Sequence, residues 1–286
     1  MVTDKIKLQS AMEYLMTYGW AILIIAVVLG ALFQLGVFNS SSFSPRAPPG
    51  ACQVFRPSGP GTTTNINLMG VCTGQLPQYV AQFDGASSYV NVGNSIILQM
   101  ATRLSVSYWI YPTSTSGYQY LVSKGIAQTT GWWSQINLGT STTFFCVGAS
   151  PSGVCTAIQT LTLNAWQLVT YTYDAGSGYY CLNGICTSYS GLPSSVPSTS
   201  TRDLIIGNNG GGGWFFSGRI ANVQIYNASL SANQVQALYL EGMGGAPIKV
   251  QNIIGWWPLN GNSNDYSGNN NNGVPTSVTF TSQYGK

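Results

Sequence analysis

Residues 14–38 (YLMTYGWAILIIAVVLGALFQLGVF) form an apolar run, and no charged residue follows Glu13 until Arg46. An α-helix needs roughly 20 apolar residues to cross about 30 Å of hydrocarbon, and this run exceeds that. It is also longer than a secretory signal's apolar region of about 7–15 residues, and no small-residue cleavage site follows it directly. Lys5 and Lys7 precede it, which predicts a cytoplasmic N-terminus and export of everything beyond Phe38. Glu13 stands at the start of the run, where a carboxylate is costly in lipid unless paired.

The segment KLQSAMEYL at 7–15 resembles the class III signal of archaeal type IV pilin-like proteins. The resemblance implies that a prepilin peptidase cuts between Leu8 and Gln9, leaving Glu13 as the fifth mature residue. It further implies that Glu13 neutralises the new N-terminal amine of a neighbouring copy, with the helices packing as a filament core. Leu8 departs from the family pattern, which has a small residue there. The other reading is an uncleaved signal anchor that holds one protein on the membrane.

The rest of the chain suits an exported protein. Charged residues make up 6% of it, His is absent, and the net charge of +3 offers no basic patch for nucleic acid. The six cysteines fall into three local pairs: Cys52 with Cys72, Cys146 with Cys155, and Cys181 with Cys186. For the last pair geometry gives a reason. Asn183-Gly184 is a preferred two-residue hairpin turn, which sets Leu182 opposite Ile185 and Cys181 opposite Cys186, within disulfide reach. Cys146 and Cys155 flank the turn material SPSG and can pair in the same way. Disulfides imply an oxidising compartment, and without His or CxxC pairs a zinc site is not expected.

Beyond residue 78 the sequence reads as mainly β. Short runs rich in β-branched and aromatic residues lie at 104–111, 118–123, 135–138, 166–173, 179–188, 204–207 and 219–226, separated by Gly, Pro, Asn and Ser. One helix is predicted over 231–240, with Ser231 as N-cap and Gln234 reaching back in a capping box. This pattern predicts a sandwich or jelly roll. The segments FDGASSYVNV at 83–92, LSVSYWIY at 104–111, WQLV at 166–169, YCLNG at 180–184 and the strand-plus-helix at 216–240 occur in the order found in laminin-G-like, concanavalin A-type jelly rolls, which this region resembles. The tail, with IGWWPL at 254–259, DYSGN at 265–269 and NG at 272–273, resembles the segment that opens such domains, yet it comes last. The resemblance implies a circular permutation in which 253–286 completes a domain spanning 79–286. A truncated second domain, or strand donation to a neighbour, would also account for the tail. The expected organisation is a leader at 1–8, an assembly or transmembrane helix at 9–38, a linker at 39–51, a disulfide-tied extension at 52–78, and the jelly roll.

No catalytic set is visible. Glutamate occurs only at 13 and 241, no strand carries paired acids, and without His a Ser-His-Asp triad is impossible. Trp132, Trp133 and Trp214 sit beside glycine-rich turns and could stack on sugars, or could fill a core. Asp84, Asp265 and Asn269 resemble calcium-ligating positions of some family members, but such residues also bond to turn backbone. Asn39 and Asn227 begin glycosylation sequons. The expectation is a non-catalytic surface protein. Its helix would assemble with copies of itself or anchor in the membrane, and its jelly-roll head would meet glycans.

Overall fold

A computed structural model describes residues 3–34, 53–55, 63–65, 68–69, 76–125, 129–148, 153–197, 202–210 and 213–282. The chain divides into two units, 1–46 and 47–286.

In the first unit, α1 (Thr3–Gln34) starts within the expected leader and ends short of the far end of the helix expected over 9–38. Its side chains are described at Met16 and 18–32, and Met16, Trp20, Ile22, Leu23, Ile24, Ile25, Val27, Val28 and Leu29 are all exposed. Consecutive exposed apolar positions leave no polar face. Among the described residues no helix is long and apolar enough to cross a membrane. The transmembrane helix expected over 9–38 is therefore not borne out among the described residues. Leu8, Gln9 and Glu13 lie on the α1 backbone, with side chains outside the described residues.

The second unit begins with two short antiparallel pairs, β1 (Gln53–Phe55) with β2 (Thr63–Asn65) and β3 (Leu68–Met69) with β4 (Leu76–Pro77). Cys52, Cys72, Asn39 and the expected linker at 39–51 lie outside the described residues.

The body of the unit is a sandwich. Its strands are β5 (Val80–Asp84), β6 (Tyr89–Gly93), β7 (Arg103–Pro112), β8 (Gln119–Lys124), β9 (Trp132–Ile136), β10 (Thr142–Val147), β11 (Val154–Thr160), β12 (Gln167–Asp174), β13 (Gly178–Leu182), β14 (Ile185–Tyr189), β15 (Leu204–Ile206) and β16 (Ser217–Tyr226). The helix α2 (Ala232–Glu241) follows, then β17 (Ile253–Trp257), β18 (Val274–Thr276) and β19 (Thr279–Thr281). One sheet has the order β11-β10-β9-β8-β15-β6-β18, the other β14-β13-β12-β7-β16-β5-β19 with β17 also on β16. Alternation decides which residues enter the core. In β6, Val90 and Val92 point inward while Tyr89 and Asn91 face out. Aromatic side chains fill the space between the sheets, with Phe83 against Phe216 at 5.9 Å and Phe145 stacked on Tyr171 at 5.2 Å.

Local predictions hold at residue level. Leu182 pairs with Ile185 and Cys181 with Cys186, the latter as a disulfide with Cα atoms 4.1 Å apart. Cys146 and Cys155 face each other across β10 and β11 and are bonded. The Ser231–Gln234 capping box opens α2. The tail enters this chain's own sheets: β17 pairs with β16, β18 with β6 and β19 with β5, and Trp257 is fully buried.

Candidate functional site

On the outer face of the seven-stranded sheet lies a cavity of about 340 Å³, lined by Tyr89 and Asn91 of β6, Ile205 of β15, Arg202 and Asp203 before that strand, and Asn208 and Phe215 after it. Pairing puts Ile205 between Asn91 and Ser123, so this apolar side chain sits among polar neighbours on one face. The rings of Tyr89 and Phe215 stand 6.5 Å apart, inclined by 35°, and form an aromatic wall.

The polar groups are held in place from behind. Asn91 Nδ2 donates to Asp203 Oδ2 at 2.8 Å, and its Oδ1 accepts from the Gly93 N–H. The Asn208 carbonyl accepts from Ser123 Oγ at 2.8 Å, and its Oδ1 accepts from the Gly210 N–H at 2.7 Å. Asn208 is 2% exposed, and its Nδ2 is a buried donor with no hydrogen-bond partner. A buried amide donor without an acceptor costs on the order of 1–3 kcal/mol, and a ligand oxygen would relieve that cost. The backbone that carries Asn208 is itself constrained. Gly207 has a φ of +86°, and a Cβ there would meet the Phe83 ring at 2.4 Å, so only glycine fits.

Beneath the rim, Lys124 is fully buried on the inner side of β8, and its Nζ donates to Asn94 Oδ1 and to the Arg202 carbonyl. Burial pulls its ammonium down to about 8, while the Asp203 carboxylate acts in the opposite direction. Beside the cavity, Trp214 stacks on Tyr120 at 5.7 Å and remains 42% exposed. Burial raises the Tyr120 hydroxyl to about 12 despite its hydrogen bond with Asn209, another lining residue.

Of the predicted site residues, the structure brings Trp214 to the cavity's flank but not the other two tryptophans. Trp132 and Trp133 lie in β9 rather than in a turn. Trp132 is in the core between the sheets, and Trp133 packs with Tyr120 and Cys146 on the outer face at 3% exposure. Both are buried, so of the two roles open to them from the sequence the structure shows packing rather than sugar stacking.

The three residues expected to hold calcium are engaged by their own loops. Asp84 Oδ1 accepts the N–H groups of Ala86, Ser87 and Ser88, and Oδ2 accepts the Ser87 hydroxyl. Partial burial would raise this carboxyl, but those hydrogen bonds outweigh it and hold it well below the usual range. Asp265 is buried and accepts the N–H groups of Trp256, Ser267 and Asn271. Asn269 donates its amide to Ile253 and Ile254 carbonyls and to Ser267 Oγ. Calcium takes six to eight oxygens that face it freely. Asp84 and Asp265 instead each accept at least three hydrogen bonds from neighbouring backbone and hydroxyl groups. Among the described residues no group of three or more His, Cys, Asp or Glu side chains could share a metal ion. Asn227 is exposed, with its Oδ1 accepting from Asn252 Nδ2.

Residues 84–236 match the laminin-G-type family model described as the concanavalin A-like lectin/glucanases superfamily. The chain belongs to that superfamily. Among solved structures, it is similar to a Bacteroides ovatus protein described as carbohydrate-binding, with 15% identity, a TM-score of 0.59, and coverage of 77% of this chain and 66% of that one. It is also similar to the heptameric SAP-like pentraxin of Limulus polyphemus, with 14% identity, a TM-score of 0.51, and coverage of 71% and 94%. At these identities the likeness is one of fold. No curated protein sequence matches the chain.

Sequence reading missed Tyr89, Asn91, Asp203, Asn208 and Phe215 as a set. The one local signal was Asn208-Asn209-Gly210, a turn sequence just after β15.

Proposed function

We propose that the jelly roll is a non-catalytic carbohydrate-binding head of a surface-exposed protein, and that the Asn91–Asp203–Asn208 cavity is its sugar site. The observation that carries this reading is the unpartnered Asn208 amide in a cavity walled by Tyr89 and Phe215. Sugars offer hydroxyl acceptors for such a donor, hydroxyl donors for the Asp203 carboxylate, and C–H faces for the rings. The cavity lies at the lower end of the roughly 300–1,000 Å³ of ligand pockets, a size for a terminal sugar, with Trp214 placed to stack on the next one. Asp203 is the sole carboxylate among the lining residues, whereas glycoside hydrolysis takes a pair, which supports binding without turnover. The two disulfides and the family support an extracellular setting. The test is a glycan array probed with the full chain and with Asn208→Ala. Binding that survives this change undiminished would refute the site.

We also propose that α1 assembles with copies of itself. Its apolar side chains face outward on every described side, and a helix of that kind needs a covering partner. With cleavage after Leu8 by a prepilin peptidase, Glu13 would meet a neighbour's Gln9 amine, as the class III resemblance implies. Mass spectrometry of surface-harvested protein should read Gln9 as the first residue. An intact MVTDK start would leave only a tethered head.

A further inference from the structure

We infer that the ligand of the cavity is an acidic sugar, one bearing a carboxylate, and that Arg202 receives that carboxylate. The inference rests on the sugar-binding reading above and names its substrate class. Arg202 lines the cavity and is exposed, and among the described residues no hydrogen bond or ion pair engages its guanidinium. Only its carbonyl is used, by Lys124. The one acidic neighbour does not neutralise it: Asp203 Oδ2 accepts from Asn91, and the Asp203 charge faces the buried Lys124 ammonium. Two cations against one carboxylate leave the site with an excess of one positive charge. Among the lining groups, the Arg202 fork is a charged donor and Asn208 Nδ2 a buried donor, and neither has a protein partner. A neutral sugar would satisfy Asn208 but leave the planar fork of Arg202 facing only water. A carboxylate accepts from that fork in two parallel bonds, the geometry for which arginine is suited. A uronic acid or a sialic acid at a glycan terminus has this chemistry.

The experiment is calorimetry on the full chain with four probes: methyl glucuronide, methyl glucoside, sialyllactose and lactose. At least one acidic probe should bind about tenfold tighter than its neutral counterpart, a difference that shrinks as sodium chloride is raised. Arg202→Gln should abolish that preference with an unchanged melting temperature, and Arg202→Lys should restore part of it. Equal binding of acidic and neutral probes, or a preference that survives Arg202→Gln, overturns this inference and leaves the sugar site standing. Absence of binding by all four probes, and by every glycan on the array, overturns both.

Discussion

In the 263–273 loop, Asp265 is buried with both carboxylate oxygens taken by backbone N–H groups, and Asn271 and Asn269 reach back to strand carbonyls. In the cavity beside β15, Asn208 is equally buried, yet its amide donor has no partner, and Arg202 stands free beside it. Both regions are built from Asp, Asn, Ser and Gly at strand ends. What separates a structural loop from a binding site here is whether donors and acceptors close on one another. Polar groups that are satisfied internally hold the fold, and those left over are available to a ligand.

The contrast is sharpest for Asp265→Ala. It strands three backbone N–H groups in the interior at about 1–3 kcal/mol each, so stability in urea should fall by about 4 kcal/mol or more. A melting curve like that of the wild type would mean the loop is not the structural element described.

A pH titration tests the charges around the cavity. The folded Lys124 releases its proton at about 8 rather than 10.5, so between those values the unfolded chain holds more protons and stability rises with pH. The rise should reach about 3 kcal/mol at most and disappear in Lys124→Met. Above pH 10 the sign reverses. Burial first of all raises the hydroxyls of Tyr108, Tyr171 and Tyr226, so the unfolded chain loses protons that the folded one retains. That alkaline loss should persist in the variant. A wild-type curve that falls steadily from pH 8 would contradict the burial of Lys124.

Next comes Gly207→Ala, which places a methyl against Phe83 in a left-handed backbone. A loss of about 1–3 kcal/mol is expected, with weakened glycan binding because Asn208 moves. The smallest stability effect belongs to Asn208→Ala. The change removes a donor that has no partner and one acceptor, the Oδ1 that holds the Gly210 N–H, so stability should fall by only about 1 kcal/mol while sugar binding drops about tenfold. If that variant unfolded as readily as Asp265→Ala, the difference between the two regions would vanish.

What was legible in the sequence was local. Asn183-Gly184 fixes its hairpin, and with it the Cys181–Cys186 bond, through turn geometry alone. Ser231 and Gln234 announce the start of α2 because each caps the other within one turn. The tail's membership in the sandwich followed from motif resemblance, and the pairings of β17, β18 and β19 realise it in this chain. The cavity was not legible, because Asn91, Asp203, Asn208 and Phe215 meet only when β6 pairs with β15, more than a hundred residues away in the chain. Trp132 and Trp133 were ambiguous in the sequence, because a glycine such as Gly131 with its φ of 74° stands equally before an exposed turn and before a buried strand like β9.

The pairing of Gln82 with Thr279 and Ala81 with Phe280 also fixes an order of events. β5 leaves the ribosome early, and one flank of it stays open until almost all the remaining chain has been made. For that interval its unpaired N–H and C=O groups are a template for any passing strand. Fragments that stop before residue 279 therefore leave that edge of β5 open and should be the ones most prone to aggregate.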